Sequence, residues 1–320
     1  MDDRQPMNVL VDGSVILQHC ESGDQVLSIA ASGNNQLLST GGQFGRVYIW
    51  DFINGKILHT FNPSGEDGLY GIFETGFHIS LPYFAYINPE GILVVARTDS
   101  WNEILTLGQP EANTLTFAFS NLFGWIAFGC QSGQISVWDL QTNREILSYI
   151  TPPDPYVLSF SPNSEVLSIV CCDGTIHFVQ IRSGKLLHEL PIGREQLAWG
   201  IYSPYQPLIL TISEHGMFST TDIATFQTLS QVSLPLSDVA QCSASPTTPS
   251  FAARSSNGLI TVLNYFNKSF TTILTPPKNI NPICYSFDGA SLLIGIDQFV
   301  RKIPLVTIEH DHTLPGIADT

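Results

Sequence analysis

Side chains able to do chemistry are few and widely spaced in this 320-residue sequence. Its six cysteines lack the Cys-x-x-Cys spacing of a metal or redox site. Cys171 and Cys172 are adjacent in an apolar, strand-like run, so their side chains should point to opposite faces of a sheet and cannot hold one metal together. We expect the cysteines to be buried, reduced thiols of an intracellular protein.

Histidines offer two further candidates. His310-Asp311-His312 has metal-ligating side chains, but this cluster lies in a polar tail, where solvated chain is the simpler explanation. His59 and His188 recur at the same position of two similar segments, which favours a packing role. The sequence has no Gly-x-Ser-x-Gly elbow, no phosphate-binding glycine loop and no His-Glu-x-x-His. We therefore expect no catalytic residue, no cofactor and no metal.

The charge balance limits the class of partner. Thirteen Lys and Arg against 28 Asp and Glu give a net charge of -15, and no basic run interrupts it. Such a field repels phosphate, so we expect no direct binding to nucleic acid or anionic membrane. No apolar run approaches the roughly 20 residues of a membrane helix, and the acidic, polar start is unlike a signal peptide. We expect a cytoplasmic or nuclear protein that is not secreted.

An internal repeat organises the chain. Gly45–Asp51 and Gly133–Asp139 share one pattern that ends in Trp-Asp, and each precedes a polar turn and an apolar segment. Aligned units begin at residues 26, 69, 114, 155, 197, 239 and 280, at intervals of 41–45 residues. This period is the length of one four-stranded propeller blade. Glycines in Asp173-Gly174 and Asn257-Gly258 suit hairpin turns that need a positive φ.

Counting strands predicts how the ring closes. The seventh unit supplies three strands, and Ser14–His19, which precedes the first unit, matches the missing fourth. Pairing the two chain ends in one blade hides two sheet edges that would otherwise invite aggregation. We predict an all-β, seven-bladed β-propeller of four-stranded antiparallel blades, the last closed by the N-terminal strand. Its divisions are an N-terminal extension over 1–13, the propeller over 14–306 and a C-terminal tail over 307–320.

The Trp-Asp endings and the repeat period resemble the WD-repeat family over residues 14–306. This resemblance implies a propeller that serves as a non-catalytic platform for other proteins. The likeness is divergent, because only Trp50-Asp51 and Trp138-Asp139 keep the full dipeptide. Val179 and Thr221-Asp222 occupy the equivalent positions elsewhere. The buried His–Ser/Thr–Asp–Trp network of the family should be incomplete in every blade, with apolar packing supplying the stability.

The resemblance also implies a binding face around the entrance of the central channel. Loops that lead into first strands and turns between second and third strands share this face in the family. Acidic and aromatic residues align there, namely Phe44, Tyr70, Asp154, Tyr156, Glu214, Asp238 and Asp297. An acidic ring with aromatic anchors suits an Arg- or Lys-bearing peptide. We expect partner proteins to bind here through basic segments.

Three functions are compatible with these features. The first is a non-catalytic scaffold subunit of a larger intracellular assembly. The second is a histone-tail or chromatin-complex subunit, because Gly45–Phe52 is similar to a stretch in the propeller subunit of histone-methyltransferase complexes. The third is an enzyme with its site at the channel mouth, for which the ring offers carboxylates and only His215 as an imidazole.

Overall fold

The computed structural model describes residues 8–9, 14–18, 23–63, 71–109, 112–152, 154–191, 197–274 and 282–305. These residues form 29 strands in seven sheets. First strands of successive sheets are neighbours, and the first strand of the last sheet contacts that of the first sheet, so the sheets close into a ring. The predicted all-β, seven-bladed propeller is therefore confirmed. No helix in the described ranges is long and apolar enough to cross a membrane.

Two short strands precede the blades, which we number 1 to 7 in chain order. The leading strands are β1 (Asn8–Val9) and β2 (Ser14–Gln18). Blade 1 contains β3 (Val26–Ala31), β4 (Leu37–Gly42), β5 (Val47–Asp51) and β6 (Lys56–Phe61). Blade 2 contains β7 (Thr75–Phe77), β8 (Tyr83–Ile87), β9 (Leu93–Arg97) and β10 (Glu103–Leu107). Blade 3 contains β11 (Thr114–Phe119), β12 (Trp125–Cys130), β13 (Gln134–Asp139) and β14 (Arg144–Ile150).

In the other four blades the strands are again given in chain order, from the first, inner strand to the outer one. Blade 4 contains β15 (Pro155–Phe160), β16 (Val166–Cys171), β17 (Thr175–Gln180) and β18 (Leu186–Pro191). Blade 5 contains β19 (Leu197–Tyr202), β20 (Leu208–Ser213), β21 (Met217–Asp222) and β22 (Thr228–Ser233). Blade 6 contains β23 (Val239–Ala244), β24 (Ser250–Ser255), β25 (Leu259–Asn264) and β26 (Ser269–Leu274). Blade 7 contains β27 (Ile283–Tyr285), β28 (Ser291–Ile296) and β29 (Phe299–Pro304), with β2 outermost.

Both leading strands are paired with the end of the chain. β2 is antiparallel to β29, with Ser14 opposite Lys302 and Gln18 opposite Phe299, which confirms the predicted closure. β1 is parallel to β26 and adds a fifth strand to blade 6. This second pairing was not predicted from the sequence, because residues 1–13 were interpreted as an extension only.

The hydrophobic core is divided into seven layers, each lying between two neighbouring blades. Between blades 4 and 5, for example, Val170 and Phe178 pack against Tyr202 and Ile209. The other six clusters fill the remaining junctions, including the one between blades 7 and 1. Stacked sheets bury their apolar faces against each other, so no blade has a core of its own.

The turns between first and second strands share a buried cap. Ser161 Oγ accepts from the Val166 N–H over 3.0 Å, and Ser203 Oγ accepts from the Gln206 N–H over 3.2 Å. This serine immediately follows the first strand of six blades, as Ser32, Ser120, Ser161, Ser203, Ser245 and Ser286. In blade 2, His78 takes its place. Its Nδ1 accepts from the N–H groups of Ser80 and Leu81 over 3.2 and 3.0 Å.

The Trp-Asp dipeptide has two separate structural uses. Asp51 Oδ1 accepts from the Asn54 N–H over 2.9 Å and thereby caps the turn before the closing strand. In the core, Trp50 Nε1 donates to Thr40 Oγ1 over 2.9 Å. The residue equivalent to Thr40 in blade 3 is Phe128, so Trp138 has no hydroxyl at that position. Blade 1 thus keeps one bond of the family's network that blade 3 lacks.

The second unit starts later than its predicted beginning at Leu69. Thr75 pairs with Tyr86 as Ile29 pairs with Thr40, and this register puts Ile72 at the position of Val26. The predicted alignment was therefore wrong by three residues. Leu69 itself lies outside the described residues.

Candidate partner-binding face

Entry segments and turns of neighbouring blades are joined on one face of the ring. The Val26 N–H, where β3 begins, donates to the Asp297 carbonyl in the turn of blade 7 over 2.8 Å. The Val239 N–H, where β23 begins, donates to the Glu214 carbonyl in the turn of blade 5 over 3.1 Å. These main-chain bonds connect one blade to the next, so the side chains at this rim are carried by a continuous frame.

Several Asp and Asn residues of the rim occupy left-handed backbone positions. Asn113, Asp154 and Asp238 immediately precede first strands and have φ values of 47°, 58° and 53°. Asp297 has a φ of 53° in the turn where other blades use glycine, such as Gly174 with a φ of 82°. Asn and Asp tolerate this region better than other residues with a side chain. Backbone geometry therefore selects some of the acidic residues that the sequence analysis assigned to binding.

The rim of blade 4 groups Tyr156 with sulfur and carboxylate neighbours. Cys172 donates to the Asp154 carbonyl over 3.0 Å. Burial raises the pKa of Tyr156, and the nearby Cys172 and Glu214 raise it further. The phenol therefore keeps its proton at physiological pH and can donate a hydrogen bond. The structure thus brings three of the predicted residues, Asp154, Tyr156 and Glu214, into one neighbourhood.

Phe44 lies at the rim of blade 1, and its side chain is 38% exposed. The main-chain N–H of Phe44 donates to Oδ1 of the buried Asp24 over 3.0 Å, and this bond fixes the turn that carries the phenyl ring. Arg46 follows in the same turn and is half-buried, so the rim is not wholly acidic. Asp238 is exposed, whereas Asp154, Glu214 and Asp297 are half-buried. Tyr70 lies outside the described residues.

Comparison with known proteins supports the repeat interpretation over part of the chain. No family model matches it. Eukaryotic translation initiation factor 3 subunit I of Phaeosphaeria nodorum is 28% identical over 133 residues, which are 38% of this chain and 38% of that protein. The U3 small nucleolar RNA-associated protein 21 homolog of Schizosaccharomyces pombe is 24% identical over 161 residues, which are 48% of this chain and 16% of that protein. The matches thus span well under two thirds of either relative.

The structure has seven blades, closure by the N-terminal strand and a Trp-Asp turn, and the two relatives match part of the same chain. The chain is a seven-bladed β-propeller whose repeats resemble those of the WD-repeat family. The divergence is visible at the third-strand ends, where Ala96, Val179 and Thr221 stand at the position of Trp50.

The corrected start of blade 2 changes the aromatic content of the propeller's rim. Phe73, not Tyr70, is the equivalent of Leu27 and Tyr156, and it is 65% exposed. The sequence analysis missed Phe73 because it aligned the irregular start of this unit. Counting backwards from β8 and β9, whose pattern is regular, identifies the position.

One position of the rim is apolar in six of the described blades. The residue that follows the entry position of each first strand is hydrophobic in blades 1 to 6, namely Leu27, Phe73, Leu115, Tyr156, Ala198 and Ala240. Carboxylates such as Asp154 and Asp238 flank these positions on the rim. The rim therefore combines apolar residues with neighbouring carboxylates.

Glu74 is a second residue that the sequence analysis missed. It follows Phe73 and reaches the inner strand of blade 3, where Thr116 Oγ1 donates to its Oε1 over 3.4 Å. Burial raises the pKa of Glu74 to about 8, although hydrogen bonds from the Phe117 N–H and from Thr116 act in the opposite direction. Gln241 occupies the same position in blade 6 and accepts from the Ile283 N–H over 2.8 Å.

The other cysteines and histidines considered from the sequence either pack against neighbouring side chains or lie outside the described residues. Cys171 is the last residue of β16 and is buried, whereas Cys172 is exposed in the turn that follows, so the expectation of a buried thiol is wrong for Cys172. The ring centroid of His59 lies 5.8 Å from that of Trp101, and His188 lies 4.0 Å from Phe226, each pair stacked. Within the described ranges, no group of three His, Cys, Asp or Glu side chains could hold a metal ion. Residues 310–312 are outside those ranges.

Proposed function

We propose that this propeller is a non-catalytic scaffold subunit of a larger intracellular assembly, in the cytoplasm or nucleus. The observation that carries the proposal is the rim itself, where main-chain bonds between blades hold acidic residues next to apolar ones. A pre-formed surface of this kind loses little conformational entropy when a partner binds. The names of the two relatives, one a subunit and one an RNA-associated protein, are in keeping with membership of an assembly.

The partner segment that this face suits carries Arg or Lys next to apolar residues. Asp154, Glu214 and Asp238 offer charge-assisted hydrogen bonds to a cation. Phe73 and Tyr156 offer aromatic faces for cation–π contact and apolar packing. The net charge of -15 would speed the encounter with a basic segment and disfavour a direct contact with nucleic acid or anionic membrane.

The scaffold role is tested by affinity purification of the tagged, full-length protein from its own cells, followed by mass spectrometry. We expect a reproducible set of stoichiometric protein partners. Recovery of the protein alone would contradict the scaffold proposal.

The placement of the partner is tested separately with the doubly substituted variant Asp154→Asn, Glu214→Gln and an Arg-rich peptide taken from a recovered partner. Each partly exposed ion pair contributes about 0.2–1 kcal/mol, so we expect the loss of two to weaken binding about 2- to 30-fold, with less effect at high salt. Glu145→Gln is the matched control, because it removes a carboxylate from the exposed outer strand of blade 3. Equal affinities of the double variant and the control would contradict the assignment to this face.

A further inference from the structure

The outer strands of six blades share an irregularity that protects their edges. In blade 1, Trp50 pairs with Ile57 and Ile49 with His59, so Leu58 is an extra residue on the outer strand. The same bulge leaves Leu or Ile extra in five other outer strands, at Ile104, Ile146, Leu187, Leu229 and Ile16. A bulge interrupts the regular row of edge N–H and C=O groups, which discourages pairing with another strand.

Blade 6 is the exception. β26 pairs with β25 along all six of its residues, from Ser269 opposite Asn264 to Leu274 opposite Leu259, without a register shift. Its sequence, Ser-Phe-Thr-Thr-Ile-Leu, contains neither a charged residue nor proline, the other common guards of an edge. By contrast, the outer strands of blades 1 and 2 begin with Lys56 and Glu103. β26 therefore presents a regular, uncharged edge.

A strand already lies on this edge. β1 pairs in parallel through Asn8 opposite Thr272 and Val9 opposite Ile273. It covers two of the six residues of β26, and within the described part of the chain no strand pairs with the outer side of Ser269–Thr271. The edge that lacks a bulge is thus the one that accepts an added strand.

We propose that the outer edge of β26 is a docking site for an extended segment of a partner protein, which pairs in parallel in place of β1. The segment would be uncharged and rich in Val, Ile or Thr, because main-chain hydrogen bonds give affinity in strand addition and such residues fit the neighbouring positions. A longer segment can pair with all six residues of β26, whereas β1 pairs with two.

A partner segment must compete with β1 for the edge of β26. Four residues, 10–13, separate β1 from the anchored β2. A tether this short gives β1 an effective concentration in the millimolar range, so a partner segment must compete with that value. The site lies on the circumference of blade 6 and is independent of the rim residues assigned to the proposed function.

The test uses a fluorescent peptide with the sequence of residues 1–13 as the probe and the full-length Val9→Pro protein as the receptor. Proline cannot donate a main-chain hydrogen bond and should release β1 from the edge. We expect the peptide to bind the Val9→Pro protein at least about 10-fold more tightly than the wild type, in which β1 competes. Hydrogen exchange at residues 269–274 should slow on binding.

The same peptide with proline at position 9 is the negative control and should not bind. A second receptor lacking residues 1–9 keeps the test informative if Val9→Pro disturbs folding. Absence of binding to both receptors, or hydrogen-exchange protection elsewhere than β26, would overturn the proposal. Asp154→Asn, Glu214→Gln introduced into the Val9→Pro receptor should leave peptide binding unchanged, so failure of the rim assignment and failure of this one are distinguishable.

Discussion

Replacing Glu74 with glutamine should make the stability of this propeller less dependent on pH. The folded chain raises the pKa of Glu74 from 4.5 to about 8, so between these values the folded state holds a proton that the unfolded state has released. The free energy of unfolding therefore falls as pH rises through this window. Below pH 4.5 both states are protonated, and the raised pKa has no effect.

The size of the effect is set by the pKa difference. At pH 7 the effect is about 3 kcal/mol, because pH 7 lies about 2.5 units above the unfolded pKa of 4.5 and each unit corresponds to about 1.4 kcal/mol. The carboxylate keeps partial contact with water, so we expect about 1–2 kcal/mol. Glutamine suits the site, since Gln241 accepts the equivalent bond from the Ile283 N–H in blade 6. Glu74→Gln should thus stabilise the protein at neutral pH and have little effect near pH 4.5.

Urea unfolding of both proteins at about pH 4.5, 6, 7 and 8.5 measures this difference. The gain from Glu74→Gln should grow with pH and level off above about pH 8. Gln241→Glu is the reciprocal variant and should introduce a similar loss at high pH in blade 6. A change in the free energy of unfolding that is the same at every pH would refute the assignment of a raised pKa to Glu74.

Two further substitutions test the caps and the core. Burial lowers the pKa of His78, although the hydrogen bond to the Phe123 carbonyl acts in the opposite direction. As the pH drops from about 6.5, the unfolded state therefore gains a proton before the folded state does. The free energy of unfolding should decrease by up to about 1.4 kcal/mol per pH unit until the folded imidazole is protonated. His78→Ser introduces the cap of the other blades, and its free energy of unfolding, measured in urea, should fall less steeply below about pH 6.5. An unchanged pH dependence would contradict the assignment of a neutral His78 in the folded state. Thr40→Val should cost about 1–3 kcal/mol, because the buried Trp50 N–H loses its 2.9 Å acceptor. Thr40→Ser retains the hydroxyl as a control, and equal losses in both variants would attribute the effect to packing.

The sequence predicted the blades where local chemistry repeats. Glycine at the turns, such as Gly174, and the serine at the end of first strands mark six units at the right positions. The start of the remaining unit, blade 2, was predicted wrongly, because this blade begins after a longer entry segment and caps its first turn with His78 instead of serine. That error moved the aromatic position from Phe73 to Tyr70.

Other features depend on strand register, which a single sequence does not reveal. The closing strands of blades 1 and 4 look alike, and nothing in Leu58 or Leu187 alone shows that each is an extra residue opposite a continuous partner. The absence of such a bulge in β26 and its pairing with β1 are equally hidden. The raised pKa of Glu74 also depends on the approach of a neighbouring blade, so composition could not indicate it.

Closure of the ring by β2 also has a consequence for biosynthesis. β2 is made before its partner β29, which follows roughly 280 residues later, an interval of about 15–60 s at ordinary elongation rates. Throughout that interval β2 has no strand to pair with, and the last blade can close only after β29 has left the ribosome. A product shortened before Phe299 would leave β2 and β28 with open edges, so we expect cells to degrade such fragments rather than accumulate them.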